Sequence, residues 1–71
     1  MLEKEFLEAM IEELDIEEEV TMDTVFREME DYTSLGGFIM LSFASEHFDK
    51  DITVEEFLKL NTFQEFFNYI K

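Results

Sequence analysis

Residues 33–48 are TSLGGFIMLSFASEHF, and this nearly uncharged stretch predicts the central helix of the fold, from Ser34 to about Phe48. One face has the three- and four-residue spacing of a core stripe; it comprises Gly37, Met40, Leu41, Ala44 and Phe48. The opposite face is also largely apolar; it comprises Leu35, Ile39, Ser42 and Glu46, flanked by Phe38 and Phe43. A helix that is apolar nearly all round is either buried on both sides or meets a partner. Packing under a neighbouring loop and docking to another protein both fit this pattern.

The sequence before the central helix predicts one amphipathic helix followed by a long loop. Apolar side chains recur every three or four residues over about 2–14, and acidic residues fill the other face. Residues 15–33 are less regular and have scattered apolar anchors. A connection of this length inside a compact domain is usually functional or packed by its own side chains.

The sequence after the central helix predicts two further helices from their start signals. Thr53 is followed three residues later by Glu56, and Thr62 by Glu65, which is the spacing of a capping box. The first signal opens a short helix through about Leu58, and the second opens a last helix. With no strand signal, we expect one all-α domain over residues 1–71: a four-helix bundle with three main helices, a short third helix and a long loop between the first two.

The charge of the chain limits its partners. Nineteen acidic residues stand against five basic ones, for a net charge of −14, and thirteen of the acids lie within residues 1–31. Nucleic acid and anionic membrane surfaces would be repelled, whereas basic protein surfaces would be attracted. The longest apolar run is far too short to cross a membrane, so no membrane insertion is expected. We expect a cytoplasmic monomer.

Ser34 is the candidate functional residue of this chain. It stands where an acidic, irregular stretch gives way to an apolar helix. A serine hydroxyl at a helix start can hold a tethered phosphate group, since the free backbone N–H groups and partial positive charge of a helix N-terminus favour an anion there.

The stretch from Phe26 to Ile70 resembles acyl carrier proteins, the small four-helix carriers of fatty-acid and polyketide assembly and their peptidyl and aminoacyl relatives. In that family an Asp-Ser-Leu motif opens the second helix, and Thr33-Ser34-Leu35 matches it here. Further matches follow at the family's spacing: Phe48, Ile52, the short helix at 53–58, Asn61-Thr62-Phe63 and Tyr69-Ile70, with Leu14, Ile16, Val20, Thr21 and Phe26 upstream.

The resemblance implies a carrier rather than an enzyme. A phosphopantetheinyl transferase would attach 4′-phosphopantetheine from coenzyme A to Ser34, and the thiol of this arm would carry an acyl group as a thioester. Acyl-transfer and condensing enzymes with basic and apolar docking surfaces would be the further partners. The chain has no cysteine, which fits a thiol supplied with the cofactor. The alternative is an acidic helical interaction module that keeps the carrier fold without the modification.

Several positions depart from the family pattern and change the expected docking surface. Thr33 replaces the usual aspartate, and Gly36 and Ile39 replace positions that are often acidic, whereas Glu46 keeps its acid. We therefore expect partners to dock mainly by apolar contact through Leu35, Phe38 and Ile39, with Thr33 and Glu46 in the same surface.

No other motif indicates catalysis or metal binding. Counting back twelve residues from Glu56 places Ser45 first, His47 third and Lys50 at the glycine position of a calcium-binding loop, so the ligand set fails. His47 has no serine or cysteine arranged with it as a nucleophilic pair, and we expect an ordinary residue at a helix end. No metal ligands and no catalytic residues are predicted.

Overall fold

The computed structural model describes all 71 residues and contains four helices and no strand. The helices are α1 (Glu3–Glu13), α2 (Ser34–Phe48), α3 (Val54–Phe57) and α4 (Phe63–Ile70), and a 3-10 turn at Phe26–Glu28 interrupts the long loop between α1 and α2. The all-α prediction is confirmed, together with the short third helix. The closer similarity to carrier proteins stays a prediction. None of these helices has both the length and the apolar character needed to span a bilayer.

The predicted start signals of the last two helices are confirmed. The Thr53 hydroxyl accepts from the Glu56 N–H at 3.1 Å, and the Glu56 carboxylate accepts from the Thr53 N–H at 2.9 Å. Thr62 and Glu65 make the same reciprocal pair, at 3.0 and 3.1 Å. These bonds satisfy backbone donors that a helix start otherwise leaves without a partner, so the chain enters α3 and α4 at fixed positions.

The end of α1 turns the chain into the loop. Asp15 has a φ of 54°, a left-handed conformation that ends many helices. The Ile16 N–H donates to the Ile11 carbonyl at 2.9 Å, and the Asp15 N–H donates to the Glu12 carbonyl at 3.3 Å. This pairing is a Schellman motif, and it carries Ile16 back into the core, where its side chain is buried.

A phenylalanine-rich cluster forms the core. Phe6 of α1 is fully buried, and its ring centroid lies 4.7 Å from that of Phe67, 5.8 Å from that of Phe43 and 6.0 Å from that of Phe66. The cluster therefore joins α1, α2 and α4 through one central ring. Burial of such side chains contributes roughly 2–3 kcal/mol each to the free energy of unfolding, before the entropy of ordering them is subtracted.

Backbone hydrogen bonds fix the long loop to the start of α4. The N–H groups of Phe63 and Gln64 donate to the carbonyls of Thr24 and Met22 at 3.2 and 2.7 Å, and the Phe26 N–H donates to the Asn61 carbonyl at 3.1 Å. Because the first N–H groups of a helix have no partner within it, the loop carbonyls complete the start of α4. The loop is thus part of the folded framework.

Arg27 fixes the same loop to α3. Its guanidinium donates to the carbonyls of Phe57 and Leu60, at the end of that short helix. The guanidinium carbon lies 4.9 Å from the ring centroid of Phe26 and 4.8 Å from that of Phe57, so the cation contacts two aromatic rings. A side chain 30 residues before Phe57 in sequence therefore holds α3 in place.

Candidate functional site

Ser34 is the first residue of α2, and its side chain is exposed. Thr33 precedes it in an extended conformation, with φ −116° and ψ 177°, and acts as the N-cap. The Thr33 hydroxyl accepts from the Leu35 N–H at 3.2 Å, and the Thr33 carbonyl accepts from the Gly36 N–H at 2.9 Å. The Ser34 N–H takes part in neither bond. It therefore remains available as a hydrogen-bond donor next to the Ser34 hydroxyl at the start of the helix.

The first turn of α2 carries no acidic side chain. A fifteen-residue helix places a partial positive charge at this end, and no nearby carboxylate on the same turn opposes it. The closest acid before it in sequence, Asp31, accepts from the N–H groups of Glu17 and Glu18 at 3.0 and 3.3 Å. The bond from the Glu17 N–H is the main cause that lowers the pKa of Asp31, despite an opposing contribution from burial. The helix start itself, without an acid in its first turn, is the feature that favours an anion at Ser34.

Tyr32 explains the two glycines in that first turn. A Cβ atom added to Gly36 would lie 2.8 Å from the Tyr32 ring, and one added to Gly37 would lie 3.2 Å from the Tyr32 hydroxyl. Real Cβ atoms essentially never approach another atom as closely as 2.8 Å. The Tyr32 ring also lies 5.7 Å from that of Phe26, and burial raises the pKa of its phenol. The sequence shows both glycines, but only the fold shows that the Tyr32 ring excludes a side chain at Gly36 and crowds one at Gly37.

The outer face of α2 has no covering element. Leu35 is 65% exposed and Phe38 is 67% exposed, which is unusual for large apolar side chains on neighbouring turns. Of the two arrangements that the sequence left open, packing under the long loop does not occur at these positions, because the loop binds α3 and α4 instead. Ile39 is half-buried and Glu46 is exposed, as are Thr33 and Ser34.

One residue beside the outer face is buried more deeply than the sequence pattern suggests. Phe43 was placed beside the outer face by the helical spacing, but it is only 5% exposed and its ring meets that of Phe6. The core stripe is therefore centred on Gly36, Met40, Phe43 and Ala44, all of which are buried, whereas Gly37, Leu41 and Phe48 are half-buried. Tyr32 packs beside Gly36 and Gly37, and Phe57 of α3 packs beside Gly37.

A groove of about 270 Å³ runs along the outer face, between α2 and the end of α1. Half of its lining is apolar and half is polar. The apolar residues are Leu35, Phe38, Ile39 and Phe43, and the polar residues are Glu13, Ser42, Glu46 and His47. The groove brings together four of the six predicted site residues, namely Leu35, Phe38, Ile39 and Glu46. Thr33 and Ser34 lie outside it, at the helix start.

Two polar contacts that hold α3 in place could not be found from sequence spacing. One is the Arg27 contact with the end of α3. The other is the hydrogen bond that the Tyr69 hydroxyl donates to Glu56, which joins α4 to the start of α3. This bond is the main cause that lowers the pKa of Glu56 and raises the pKa of Tyr69. Both contacts join residues that are far apart in sequence and become neighbours only in the fold.

The structure places the segment that resembles the end of a calcium loop across the end of α2, the connection after it and α3. No group of three or more histidine, cysteine, aspartate or glutamate side chains is arranged to hold a metal ion. His47 lies in the last turn of α2, and its ring is 4.5 Å from that of Phe43. Its environment is that of a side chain on the wall of the groove.

Comparison with protein-family models, with curated proteins and with solved structures found no match to this chain.

Proposed function

We propose that this protein is a carrier that holds an acyl or related group as a thioester on 4′-phosphopantetheine attached to Ser34. The observation that carries the proposal is the position of this serine: exposed, first in a long helix, next to a free backbone donor and in a turn without acids. Such a position favours a phosphodiester, because the helix N-terminus stabilises negative charge. The partners would be enzymes of fatty-acid, polyketide or related biosynthesis.

The loading step needs no catalytic group from this chain. The Ser34 hydroxyl oxygen would attack the phosphorus of coenzyme A that bears the pantetheine arm, within the active site of a phosphopantetheinyl transferase. A phosphodiester bond to serine forms, the phosphoanhydride bond breaks, and adenosine 3′,5′-bisphosphate leaves. The hydroxyl proton passes to a base of the transferase. The product carries a terminal thiol on a chain that has no cysteine of its own.

The outer face of α2 supports the proposal because a carrier must be recognised next to its attachment point. Leu35 and Phe38 are exposed within one turn of Ser34, so an enzyme that contacts them would have the arm beside its surface. Glu46 extends the same face with a negative charge toward the end of the helix. We propose that transferase and acyl-transfer enzymes approach through this face.

The runner-up proposal is an unmodified acidic interaction module. It is supported by Thr33, which replaces the aspartate usual in the carrier motif, and by the glycine pair Gly36-Gly37 in the first turn of α2. Under this proposal the outer face of α2 would still meet a partner, but Ser34 would stay unmodified.

Intact-protein mass spectrometry separates the two proposals. The protein is incubated with coenzyme A and a broad-specificity phosphopantetheinyl transferase, and separately with the transferase of its own host. We expect a mass gain of one phosphopantetheine in the wild type and none in Ser34→Ala. The matched controls are Ser42→Ala and Ser45→Ala, which remove exposed serines of the same helix and should leave the gain unchanged. No gain with either transferase would overturn the carrier proposal.

A further inference from the structure

Tyr32 packs against the side of α2 that carries Ser34. Helical spacing places Ser34 and Gly37, which are three residues apart, next to each other on one side of this helix. A Cβ atom added to Gly37 would lie 3.2 Å from the Tyr32 hydroxyl and 3.4 Å from the Phe57 ring. The two aromatic side chains therefore lie against the backbone of α2 one turn after Ser34, where Gly37 leaves room for them.

Other aromatic rings fill the interior behind Tyr32. The Tyr32 ring centroid lies 5.7 Å from that of Phe26, which is fully buried. The Phe26 ring in turn lies 5.6 Å from those of Phe57 and Phe63. Distances of this size between ring centroids are typical of aromatic side chains in direct contact. Because Tyr32 is half-buried, it is the outermost ring of a packed set that leads from the start of α2 to the core.

A group held on a flexible arm at Ser34 can enter the protein only where the packing admits it. Burial of each CH2 group of an apolar chain is favourable, but a protein interior is close-packed and holds few voids that could take one. On the side of α2 that carries Ser34, the way to the core lies past Tyr32. A chain that entered there would have to displace the Tyr32 ring from its contact with Phe26.

We propose that Tyr32 closes the interior of the protein to the group carried on Ser34, so that this group stays at the surface and the carrier suits short or polar cargo. The inference rests on the proposed function, because it concerns the group that the arm on Ser34 would hold. A long alkyl chain kept at the surface stays in contact with water, at a cost that grows with each CH2 group. A short or polar group carries no such cost.

Chains of two lengths attached at position 34 test this closure without a transferase. Because the protein has no cysteine, Ser34→Cys provides a single thiol, which methyl and octyl methanethiosulfonate convert to methyl and octyl disulfides with release of methanesulfinate. We expect the melting temperatures of the two adducts to differ by less than about 1 °C. The amide chemical shifts of Phe26, Phe57 and Phe63 should also be the same in both. Wild-type protein loaded from acetyl- and octanoyl-coenzyme A should behave in the same way.

Removal of the Tyr32 ring should open the interior to the longer chain. In Ser34→Cys/Tyr32→Ala we expect the octyl adduct to melt about 5 °C above the methyl adduct, because the chain fills the space that the ring leaves. The Phe57 amide signal should shift with it. Tyr32→Phe is the matched control, since it keeps the ring and should leave the two adducts equal. Phe48→Ala removes a half-buried ring at the other end of α2 and should also leave them equal.

Each other outcome overturns the proposal. An octyl chain that raises the melting temperature of Ser34→Cys by several degrees would show that the interior is open with Tyr32 in place. Equal adducts in folded Tyr32→Ala would show that this ring is not the barrier. Chemical-shift changes confined to Leu35 and Phe38, with a raised melting temperature, would place the chain on the outer face and remove the restriction to short or polar cargo.

The design also separates this inference from the proposed function. Failure of a transferase to load Ser34 overturns the carrier, whereas entry of the octyl chain in the disulfide adduct overturns only the closure by Tyr32. If Tyr32→Ala does not fold, as judged by circular dichroism, Tyr32→Leu makes a smaller opening at the same position. The comparison of the two adducts in Ser34→Cys decides the closure in either case.

Discussion

The long loop and the outer face of α2 differ in a way that their secondary structure does not suggest. Residues 14–33 contain only one short 3-10 turn, yet they complete the start of α4 and hold the end of α3 through Arg27. The outer face belongs to the longest regular helix, yet Leu35 and Phe38 contact little else in the protein. The irregular segment belongs to the framework, and the regular one presents an unpartnered surface.

The difference separates the residues that stabilise the fold from those that the proposed function uses for recognition. Backbone groups in the loop must find partners when water is excluded, and they find them on α4. The exposed apolar side chains of α2 cost solubility without adding to the core, which is the pattern expected at an interaction surface. Changes in the loop should therefore affect folding, and changes on the outer face should affect binding.

The largest effect outside the hydrophobic core is expected at Arg27. Arg27→Met keeps an apolar stem between Phe26 and Phe57 but leaves two carbonyls without their charged donor. We expect the free energy of unfolding to fall by about 3 kcal/mol, measured by urea denaturation, because hydrogen bonds to charged groups contribute more than neutral ones. Lys59→Met is the control with the same loss of charge at an exposed position. If both variants lost the same stability, the loop would not hold α3 in the way described.

The next effect tests the contact between the loop and the start of α2. Gly36→Ala places a Cβ 2.8 Å from the Tyr32 ring, and we expect the free energy of unfolding to fall by about 1 kcal/mol despite the better helix propensity of alanine. In a Tyr32→Ala background the same change should become stabilising, because the obstacle is gone. A double-mutant cycle by urea denaturation measures this coupling. Additive effects would show that Tyr32 does not account for the glycine.

A smaller effect on stability is expected on the outer face. Phe38→Ser should change the free energy of unfolding by less than about 0.5 kcal/mol, since the side chain is largely exposed already. Phe43→Ser, five residues further along the same helix, should cost several times more because that ring lies in the core. Thermal unfolding monitored by circular dichroism compares the two. A large loss in Phe38→Ser would mean that the outer face is packed in solution.

The smallest effect concerns pH and the bond between α3 and α4. The hydrogen bond from Tyr69 lowers the pKa of Glu56 below its usual 4.5, so the contribution of Glu56 to stability is present above that pH and lost as the pH falls through the lowered value. Glu56→Gln should be less stable than Glu55→Gln at pH 7, and this difference should shrink on acidification from pH 5 to pH 3. Both variants lose the same charge. Thermal unfolding is measured across this range. A difference between the two variants that stayed constant with pH would contradict the stabilising role of the bond between Tyr69 and Glu56.

The sequence was sufficient for the helices and for the position of Ser34 at a helix start, because those features depend on local signals. Thr53 with Glu56 and Thr62 with Glu65 lie within one turn of each other, and their hydrogen bonds form wherever the chain enters a helix. The expected helix at about 2–14 is observed at Glu3–Glu13, with its neighbours as caps. Ser34 is likewise found at the predicted helix start.

The remaining features depend on contacts between distant residues. Nothing in the sequence near Arg27 indicates that its partners lie at Phe57 and Leu60. The depth of burial of Phe43 could not be settled by helical spacing alone, because a helix that is apolar on several sides can be rotated about its axis without burying a charge. Glu13 lines the groove because the fold brings the end of α1 beside α2, and the sequence does not show this contact. These contacts required the fold.

The most direct measurement is the mass of the protein purified from its own cells. Cleavage after Arg27 and Lys50 releases a peptide that contains Ser34, Ser42 and Ser45, and fragmentation of that peptide locates any added group. Attachment of 4′-phosphopantetheine to Ser34, with Ser42 and Ser45 unchanged, is the result that we predict. An unmodified peptide, or the group on either of the other two serines, would contradict the proposed function.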